Sequence, residues 1–429
     1  YESGEAKLGN TEVLPWAAER SEIQITALCA DQAGALWVGT FVNGVVCREP
    51  QGEWRYIVHE GPLFQNIINC IFEDREGTIW IGTEDAGLHR VRRRVVTALP
   101  LPPEFRDLTV LSAWAARDGS VWLGTEGAGV FRYQRGRFTR FAGPEGLASL
   151  QVYLVIEDSQ SNVWAATREG LFSYQGGRFR KEERCGPVPG PVKCLFEDRS
   201  RRLWVGGIGG AACLEGEKVT WFTNGMAGND VRSIVEDARG NIWMAAVGGG
   251  LYRFTDGRLK HYGAAEGFPS AKPVALLPHG DGTLWIGTYQ DGLIQMKDGH
   301  FATFTTSDGL VNNVTGHLAE DKAGNLWIGS VRGLMRISQQ ALKDYRPGSG
   351  HLLPCLTLTI RDGLFTVMCS GGSEPAMSWD AAGRLWLPNL KAVAVVDPGA
   401  MPTNEPAPPL IEEVLVNGQP RQPAGGGAL

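Results

Sequence analysis

The stretch GNLWIGSVRGLMRI, residues 324–337, contains the unit from which the whole chain is built. Its centre is an aliphatic residue followed by a tryptophan and a short apolar run. This centre recurs nine times, at Trp37, Trp80, Trp122, Trp164, Trp204, Trp243, Trp285, Trp327 and Trp386. Seven of the eight spacings fall between 39 and 43 residues, and the last is 59. Such a regular period indicates one supersecondary unit repeated along the chain.

Each repeat has the pattern of four short β-strands. In residues 231–259, the alternating segment VRSIVED is followed by NIWMAA, LYRF and a short closing strand, with Gly- and Asp-rich turns between them. No segment keeps a helical period. Four-stranded antiparallel units of this length are typical of propeller blades. We therefore predict an all-β fold, a single β-propeller of nine four-stranded blades, with a seven- or eight-bladed ring carrying extra blades as the alternative.

Residues that recur in most repeats are predicted to be structural. The tryptophan fills the space between twisted sheets, and the Gly two residues later allows sheets to approach closely. An Asp six residues before the tryptophan and a Gly three before it are expected to close the first hairpin. Five repeats place a Glu directly before this Asp, which favours turn and surface chemistry over a catalytic carboxylate pair. The five are Glu73, Glu157, Glu197, Glu236 and Glu320.

The two ends of the chain carry their own signals. Residues 11–16, TEVLPW, have the pattern of an outermost strand without its own blade, and the last blade runs into prolines after its third strand. We expect this N-terminal strand to complete the last blade and so protect a sheet edge. The predicted domains are a propeller over 1–400, a Pro-rich linker over 401–409, and the first strand of a further domain over 410–429.

Composition narrows the classes of partner and site. The formal net charge is −6 and the basic residues are scattered, so nucleic acid is not an expected partner. The eight cysteines show no metal-ligand spacing, and neither a metal nor another cofactor is predicted. Buried free thiols are the default, including Cys70 and Cys194 on innermost strands. Only Cys355 and Cys369, in the one irregular region, suggest a disulfide.

The repeated pattern E-D-x-x-G-x-L-W-I-G-T-x-x-G-L-x-R, the DGL at 308–310 and the closing LIEEVLVNGQ resemble the regulator propeller repeats of bacterial two-component sensors. The closing segment is similar to the first strand of the immunoglobulin-like domain, named for three tyrosines, that follows those propellers. The resemblance implies a periplasmic input domain of a membrane-anchored receptor. It further implies immunoglobulin-like and signalling domains downstream in cis, and a homodimer as a form of the full-length receptor.

Binding is expected where the repeats differ from one another, because repeated positions build the scaffold. Loops between second and third strands and loops between blades should share one rim of the propeller. Amides, carboxylates, arginines and a tyrosine converging there suit a polar ligand such as a sugar, although each residue alone is more often a solvated turn residue. The predicted rim residues are Gln65, Asn66, Glu84, Asp85, Glu126, Gln151, Arg168, Glu169, Asn229, Asp230, Tyr289, Gln290, Asp291, Asn312, Asn313 and Arg332.

Two departures from the repeat remain open at this point. His279 replaces the turn Asp in the seventh repeat, which favours a turn residue over a metal ligand. The 59-residue interval before Trp386 either covers the mouth of the propeller or is an ordinary lead-in to the last blade.

Three functions compete. The first is a non-catalytic sensory domain that binds a small extracellular ligand. The second is a propeller enzyme of the lyase or glycosidase type, for which we find no GxSxG sequence, no metal spacing and no unrepeated carboxylate pair. The third is a constitutive scaffold for another protein. The linker and the start of a further domain favour the first.

Overall fold

The structure of the chain is a computed structural model. It describes residues 24–401, 414–416 and 419–421, except residues 42, 51, 58–65, 75–76, 92–94, 106, 144–146, 186–190, 224–225, 227–228, 347–350, 370–372 and 390–391. The chain divides into two compact units, one formed by residues 1–93 with 400–429 and the other by residues 94–399. The predicted N-terminal strand at 11–16, most of the linker and Gln65 lie outside the described residues.

The first unit contains the first two repeats and a terminal hairpin. Blade 1 consists of β1 (Ile25–Ala30), β2 (Leu36–Thr40), β3 (Val45–Arg48) and β4 (Trp54–Tyr56). Blade 2 has three strands in the described ranges, β5 (Ile68–Glu73), β6 (Ile79–Thr83) and β7 (Leu88–Val91). Near the C-terminus, two further strands pair as an antiparallel hairpin; they span Val414–Val416 and Gln419–Arg421.

The second unit contains seven four-stranded antiparallel sheets. It begins with β8 (Val96–Pro100). Blade 3 is β9 (Thr109–Ala115), β10 (Val121–Glu126), β11 (Val130–Gln134) and β12 (Arg137–Phe141). Blade 4 is β13 (Val152–Glu157), β14 (Val163–Thr167), β15 (Gly170–Gln175) and β16 (Arg178–Lys181). Blade 5 is β17 (Val192–Glu197), β18 (Leu203–Gly207), β19 (Gly210–Glu215) and β20 (Lys218–Phe222).

Blades 6 to 9 continue the series. Blade 6 is β21 (Asp230–Glu236), β22 (Ile242–Val247), β23 (Gly250–Thr255) and β24 (Arg258–Tyr262). Blade 7 is β25 (Pro273–Pro278), β26 (Leu284–Thr288), β27 (Leu293–Lys297) and β28 (His300–Phe304). Blade 8 is β29 (His317–Glu320), β30 (Leu326–Ser330), β31 (Gly333–Ile337) and β32 (Leu356–Leu358), with helix α1 (Gln339–Asp344) between its last two strands. Blade 9 is β33 (Ser378–Trp379), β34 (Leu385–Asn389) and β35 (Ala392–Val396).

Short 3-10 helices lie in connecting segments, at Pro103–Phe105, Glu183–Cys185, Ala264–Glu266, Thr306–Asp308, Ile360–Asp362 and Pro398–Ala400. Within the described ranges, none of the helices has the length and apolar character needed to cross a membrane. The all-β class and the propeller architecture are confirmed, with one sheet for each repeat tryptophan.

The strand that completes blade 9 corrects the predicted latch. The fourth position of this sheet is filled by β8, which pairs antiparallel with β35 from Val96 opposite Val396 to Pro100 opposite Ala392. Blade 9 also contacts blade 3, where the Ala113 amide donates to the Ala376 carbonyl over 2.9 Å. Seven blades thus complete a unit within residues 94–399, as in the alternative prediction of a seven-bladed arrangement with extra blades, and the latch comes from residues 96–100.

The repeated Asp has a larger role than closing a hairpin. In all seven repeats that carry it, one oxygen accepts the indole N–H of the repeat tryptophan at 2.7–2.9 Å, and the other accepts the amide four residues after the Asp. In blade 5, Asp198 is 4 % exposed and Trp204 is fully buried. One carboxylate therefore fixes both the turn and the orientation of the largest core side chain.

The repeated Glu connects successive blades. Glu197 accepts hydrogen bonds from the Ser159 amide at 2.6 Å and the Ser159 hydroxyl at 2.7 Å, in the turn of the preceding blade. The amides of Gln32, Arg117 and Arg199 donate to Glu73, Glu157 and Glu236 in the same way. The interpretation of the Glu-Asp pairs as turn chemistry is confirmed. In blade 7, where His279 replaces the Asp, Glu320 still pairs with His279 Nδ1 at 2.7 Å.

Two predictions about cysteines are wrong. Cys355 and Cys369 are both free thiols, and Cys70 is exposed rather than buried. Cys194 is fully buried, as predicted. Burial raises the pKa of the Cys369 thiol to about 12, despite a hydrogen bond from Asn389 that lowers it, so this thiol stays protonated at neutral pH.

We predict that Gly287→Ala lowers the free energy of unfolding by about 2–4 kcal/mol, because a Cβ at Gly287 would lie 2.1 Å from the Thr315 carbonyl oxygen in blade 8. Urea unfolding followed by tryptophan fluorescence measures this. The matched control is Gly280→Ala in the same blade, where a Cβ meets nothing within 4 Å. Equal stability of the two variants would contradict the close approach of blades 7 and 8.

The turn aspartates predict how stability depends on pH. Burial acts to raise the pKa of Asp237, but bonds from Asn241, Trp243 and Arg239 outweigh it and hold that pKa below its usual value. The stabilisation is therefore present above about pH 4 and is lost as pH falls through the folded-state pKa. We expect Asp237→Asn to lose about 1–2 kcal/mol at pH 7 and less at pH 3. A loss that stays constant between pH 3 and pH 7 would exclude this ionisation.

Candidate functional site

The first strand of most repeats contains a β-bulge, which leaves one residue of that strand without a partner on the second strand. The pairing of first and second strands skips one residue in seven repeats, always eleven positions before the repeat tryptophan. A bulge bends its strand and redirects a side chain. The skipped residues are Thr26, Asn69, Leu111, Tyr153, Lys193, Arg232 and Val274.

Three consecutive blades of the second unit place polar bulge residues side by side. Tyr153 of blade 4 faces Lys193 of blade 5, whose Nζ lies 3.3 Å from the tyrosine ring centroid. In blade 6, Asp230 Oδ2 accepts from Arg232 Nε at 2.6 Å, and Arg232 Nη1 donates to Tyr289 Oη at 3.3 Å. We call these five residues the rim cluster.

Packing of the first strands holds the rim cluster together. The buried Cys194 thiol, next to Lys193, donates to the carbonyl of Val231, next to Arg232, at 3.6 Å. Burial, together with the charge of Asp230, raises the pKa of Cys194 well above its ordinary value, so it acts as a neutral packing group. Lys193 and Arg232 are therefore fixed as neighbours by the backbone beneath them.

Lys193 carries a charge that no neighbouring carboxylate pairs with, as far as the described residues go. Burial lowers the pKa of Lys193 to about 8, and the positive charge of Arg232 adds to this, while Asp230 and Glu126 act in the opposite direction. The face of Tyr153 stabilises the ammonium by a cation–π contact. At neutral pH the rim cluster thus contains a half-buried cation whose ionised form is disfavoured.

Two oxygens of the rim cluster also lack partners. Asp230 Oδ1 is buried and accepts no hydrogen bond, and it is the one carboxylate oxygen of this kind in the described part of the chain. The Tyr153 hydroxyl has no hydrogen-bond partner among the described residues, and burial raises the pKa of this hydroxyl, so it stays a protonated donor. Unpaired buried polar atoms are rare in folded proteins, and Asp230 Oδ1 is free to accept a hydrogen bond from a bound molecule.

Five of the predicted rim residues lie in or beside the cluster. Asp230 and Tyr289 are members of it. The Arg168 amide donates to the Gln151 carbonyl at 3.1 Å, and Gln151 forms a bridge with Glu126 at the end of blade 3. The charges of Arg168 and Glu126 both act on Tyr153, so these residues face the cluster from the loops around it.

The other predicted rim residues of the second unit mostly complete turns. The Asn229 amide donates to Tyr252, and Gln290, Asp291, Asn312 and Asn313 each accept a hydrogen bond from a nearby turn residue or lysine. Glu169 and Arg332 are exposed turn residues. In the first unit, Asn66 accepts from the Asp85 amide, and Glu84 and Asp85 are exposed.

Two clefts of the second unit lie away from the rim cluster. One, of about 430 Å³, is lined by Asp237, Arg253, His279 and Asp281; the other, of about 390 Å³, by His279, Lys297, Glu320 and Tyr345. Both are formed around the turns between first and second strands, and their walls include the repeated Asp, Glu and Trp positions. We assign them to the spacing between blades rather than to a ligand, because most of their walls are positions that recur from repeat to repeat.

The 59-residue interval supplies one buried contact among the first strands. The backbone of Glu374 forms an isolated parallel β-bridge with Cys194. Its carboxylate pairs with His317 Nδ1, and the side chains of Glu374 and His317 are both buried. Burial raises the pKa of Glu374, and the charge of His317 opposes this. The interval thus reaches blades 5 and 8 from blade 9, which an ordinary lead-in to a blade would not do.

Sequence reasoning missed Tyr153, Lys193 and Arg232. The signal was available, because the position eleven before the tryptophan ranges from Leu111 to Lys193 in polarity, whereas the residue before it is Ile or Val in six of the seven bulged repeats. Loop residues were predicted as the site instead. If side chains alternated strictly along the first strand, the residue eleven before the tryptophan would point into the space between two blades.

Residues 62–85, 225–248 and 308–332 match the family model described as two component regulator propeller. No curated protein matches the chain.

Solved structures give the same fold. The chain is 21 % identical to the extracellular domain described as that of a hybrid two component system, BT3049, from B. thetaiotaomicron, over 87 % of this chain and 51 % of that one, with a TM-score of 0.63. For the extracellular domain of the one component system BT4673 from the same organism, the identity is 19 %, the coverage 93 % and 56 %, and the TM-score 0.55. A streptogramin B lyase is 15 % identical over 70 % of this chain and 97 % of the lyase, with a TM-score of 0.53. The chain spans about half the length of the two signalling structures.

We predict that Lys193→Met raises the free energy of unfolding at pH 7 by about 1 kcal/mol, because it removes a charge that burial disfavours, while solvent around this half-buried side chain screens most of the cost. The folded-state pKa is lowered, so the cost is fully present below about pH 8 and disappears as pH rises towards the unfolded value. Urea unfolding at pH 7 and pH 9.5 measures the difference. Lys260→Met is the matched control, an exposed lysine 4.6 Å from the Tyr262 ring, and should change stability by less than about 0.5 kcal/mol. If Lys193→Met were less stable than the unsubstituted protein at pH 7, burial would not destabilise the charged ammonium of Lys193.

Proposed function

We propose, from the premise that this chain belongs to the two-component regulator propeller family, that it is the extracytoplasmic ligand-sensing domain of a signalling receptor. In this proposal the second unit binds a small polar molecule, of which carbohydrates are the first class to test, and does not transform it. Ligand binding changes the geometry of the blades or the packing of a homodimer, and this change is transmitted to further domains of the same receptor chain.

The rim cluster is the observation that carries this proposal. It joins side chains from four successive blades at positions where the repeats differ, on a scaffold where they agree. It presents an ammonium, a phenol hydroxyl and a carboxylate oxygen, each without a hydrogen-bond partner in the described residues. Aromatic faces beside convergent hydrogen-bonding groups are typical of sites for small polar ligands.

The extracytoplasmic location has support of its own. Both signalling structures with which the chain aligns are extracellular domains. The lyase shares the propeller fold at 15 % identity, which supports the fold and not the reaction. The experiment below therefore includes a measurement of turnover.

Binding by the purified chain tests the function. Neutral and acidic mono- and disaccharides, amino acids and nucleosides are screened by thermal shift, and active compounds are measured by calorimetry. We expect at least one class to raise the melting temperature, by an amount equivalent to about 2.7 kcal/mol at one hundred times its Kd. Tyr153→Ala should weaken that binding about tenfold or more, because it removes both the aromatic face and the hydroxyl.

Lys260→Met, on an outer strand, serves as the control and should leave the affinity unchanged. NMR spectra of each active compound, recorded before and after prolonged incubation with the protein, test for chemical change. Conversion of the compound would favour a propeller enzyme. A screen without any stabilising compound, or binding that Tyr153→Ala does not affect, would argue against a sensor that uses this site.

A further inference from the structure

The partnerless atoms of the rim cluster define a ligand more narrowly than a polar molecule. Lys193 Nζ is a charged donor that lies 3.3 Å from the Tyr153 ring centroid and has no hydrogen-bond acceptor among the described residues, and the Tyr153 hydroxyl is a second donor. Asp230 Oδ1 is an acceptor, buried and without a donor. A ligand that satisfies all three must offer acceptor oxygens to Lys193 and Tyr153, and a hydrogen-bond donor to Asp230.

We propose that the rim cluster binds an acidic sugar, its carboxylate on Lys193 and the Tyr153 hydroxyl and one of its ring hydroxyls donating to Asp230 Oδ1. This rests on the proposed function and assigns the chemical class of its ligand. Lys193 and Asp230 sit on the adjacent blades 5 and 6, and the contact between Cys194 and Val231 holds their strands together, so one small molecule can reach both.

The alternatives leave part of the cluster unsatisfied. A neutral sugar can donate to Asp230 but gives Lys193 no counter-charge. A simple anion such as acetate pairs with Lys193 but has no hydroxyl to donate to Asp230 Oδ1. A hydroxylated carboxylate meets both requirements, and charge-assisted hydrogen bonds are about twice as strong as neutral ones.

The charges around Lys193 favour one negative group. The charged groups that act on Lys193 are Arg232 and Asp230 from blade 6 and Glu126 from the end of blade 3. Arg168 is the further cation that acts on Tyr153. Three cations thus face two carboxylates, and a single ligand carboxylate brings the cluster to neutrality.

The same charges give the proposal a pH signature. The pKa of Lys193 is lowered to about 8 in the protein without ligand, first by burial and then by Arg232. Affinity for an acidic sugar should therefore be constant below about pH 8 and fall by up to tenfold for each pH unit above it, as the ammonium loses its proton. Affinity for a neutral sugar should lack this dependence on Lys193.

The test compares matched pairs by calorimetry on the purified chain. Glucose is compared with glucuronate and galactose with galacturonate, at pH 6.5, 7.5, 8.5 and 9.5, with acetate as the simple anion. We expect one uronate to bind at least tenfold more tightly than its neutral parent and than acetate. Lys193→Met should bring the ratio of the two sugar affinities close to one and remove the fall above pH 8, whereas the control Lys260→Met should keep both.

The outcomes separate this inference from the function. Equal affinities of uronate and parent, with both lost in Tyr153→Ala, would overturn the acidic-sugar assignment and leave the sensor proposal standing. Acetate binding as tightly as the uronate, or a uronate preference that survives in Lys193→Met, would also overturn it. If no uronate or parent sugar binds, the assignment is wrong, and the wider ligand screen decides the function separately.

Discussion

The fold depends on one carboxylate that joins a turn to a tryptophan. In seven repeats the same Asp accepts the indole N–H and a turn amide, so the largest side chain of each blade is oriented by the first hairpin of that blade. A buried indole without an acceptor would cost free energy, and so would the turn amides. The neighbouring Glu then ties each turn to the preceding blade, as Glu197 does with Ser159. Local turn chemistry and the packing between blades are therefore set by two adjacent residues.

A scaffold held by repeated residues leaves other positions free to differ. The bulge in the first strand removes one residue from the regular alternation of side chains along that strand and changes the direction of its side chain. There Tyr153, Lys193 and Arg232 meet across three blades. The arrangement is unfavourable for the protein alone, since it places an unpaired ammonium and an unpaired carboxylate oxygen in partly buried positions. Functional sites often contain groups that lower the stability of the folded protein, and the rim cluster has this property.

The contact made by Glu374 shows that the irregular interval belongs to the core of the second unit. Its carboxylate pairs with His317 on blade 8, and its backbone bridges to Cys194 on blade 5, directly beside Lys193. The segment that interrupts the repeat rhythm thus supports the strand that carries the lysine. This gives a physical reason why the last spacing is longer than the others.

The sequence by itself determined the blades, because their turns, tryptophans and close-approach glycines depend on contacts between residues near in sequence. The tryptophan recurs nine times, the turn Asp seven times and the close-approach Gly six times. From loop position alone the sequence also selected Glu126, Gln151, Arg168, Asp230 and Tyr289, which the structure places in or beside the rim cluster. Only the tertiary structure decided which strand completes blade 9, since residues 11–16 and 96–100 both have strand character and the choice depends on pairing with a segment some three hundred residues away. Only the tertiary structure revealed Lys193 and its neighbours, because a bulge is a property of the pairing between strands, and the alternation of side chains in one strand does not record it.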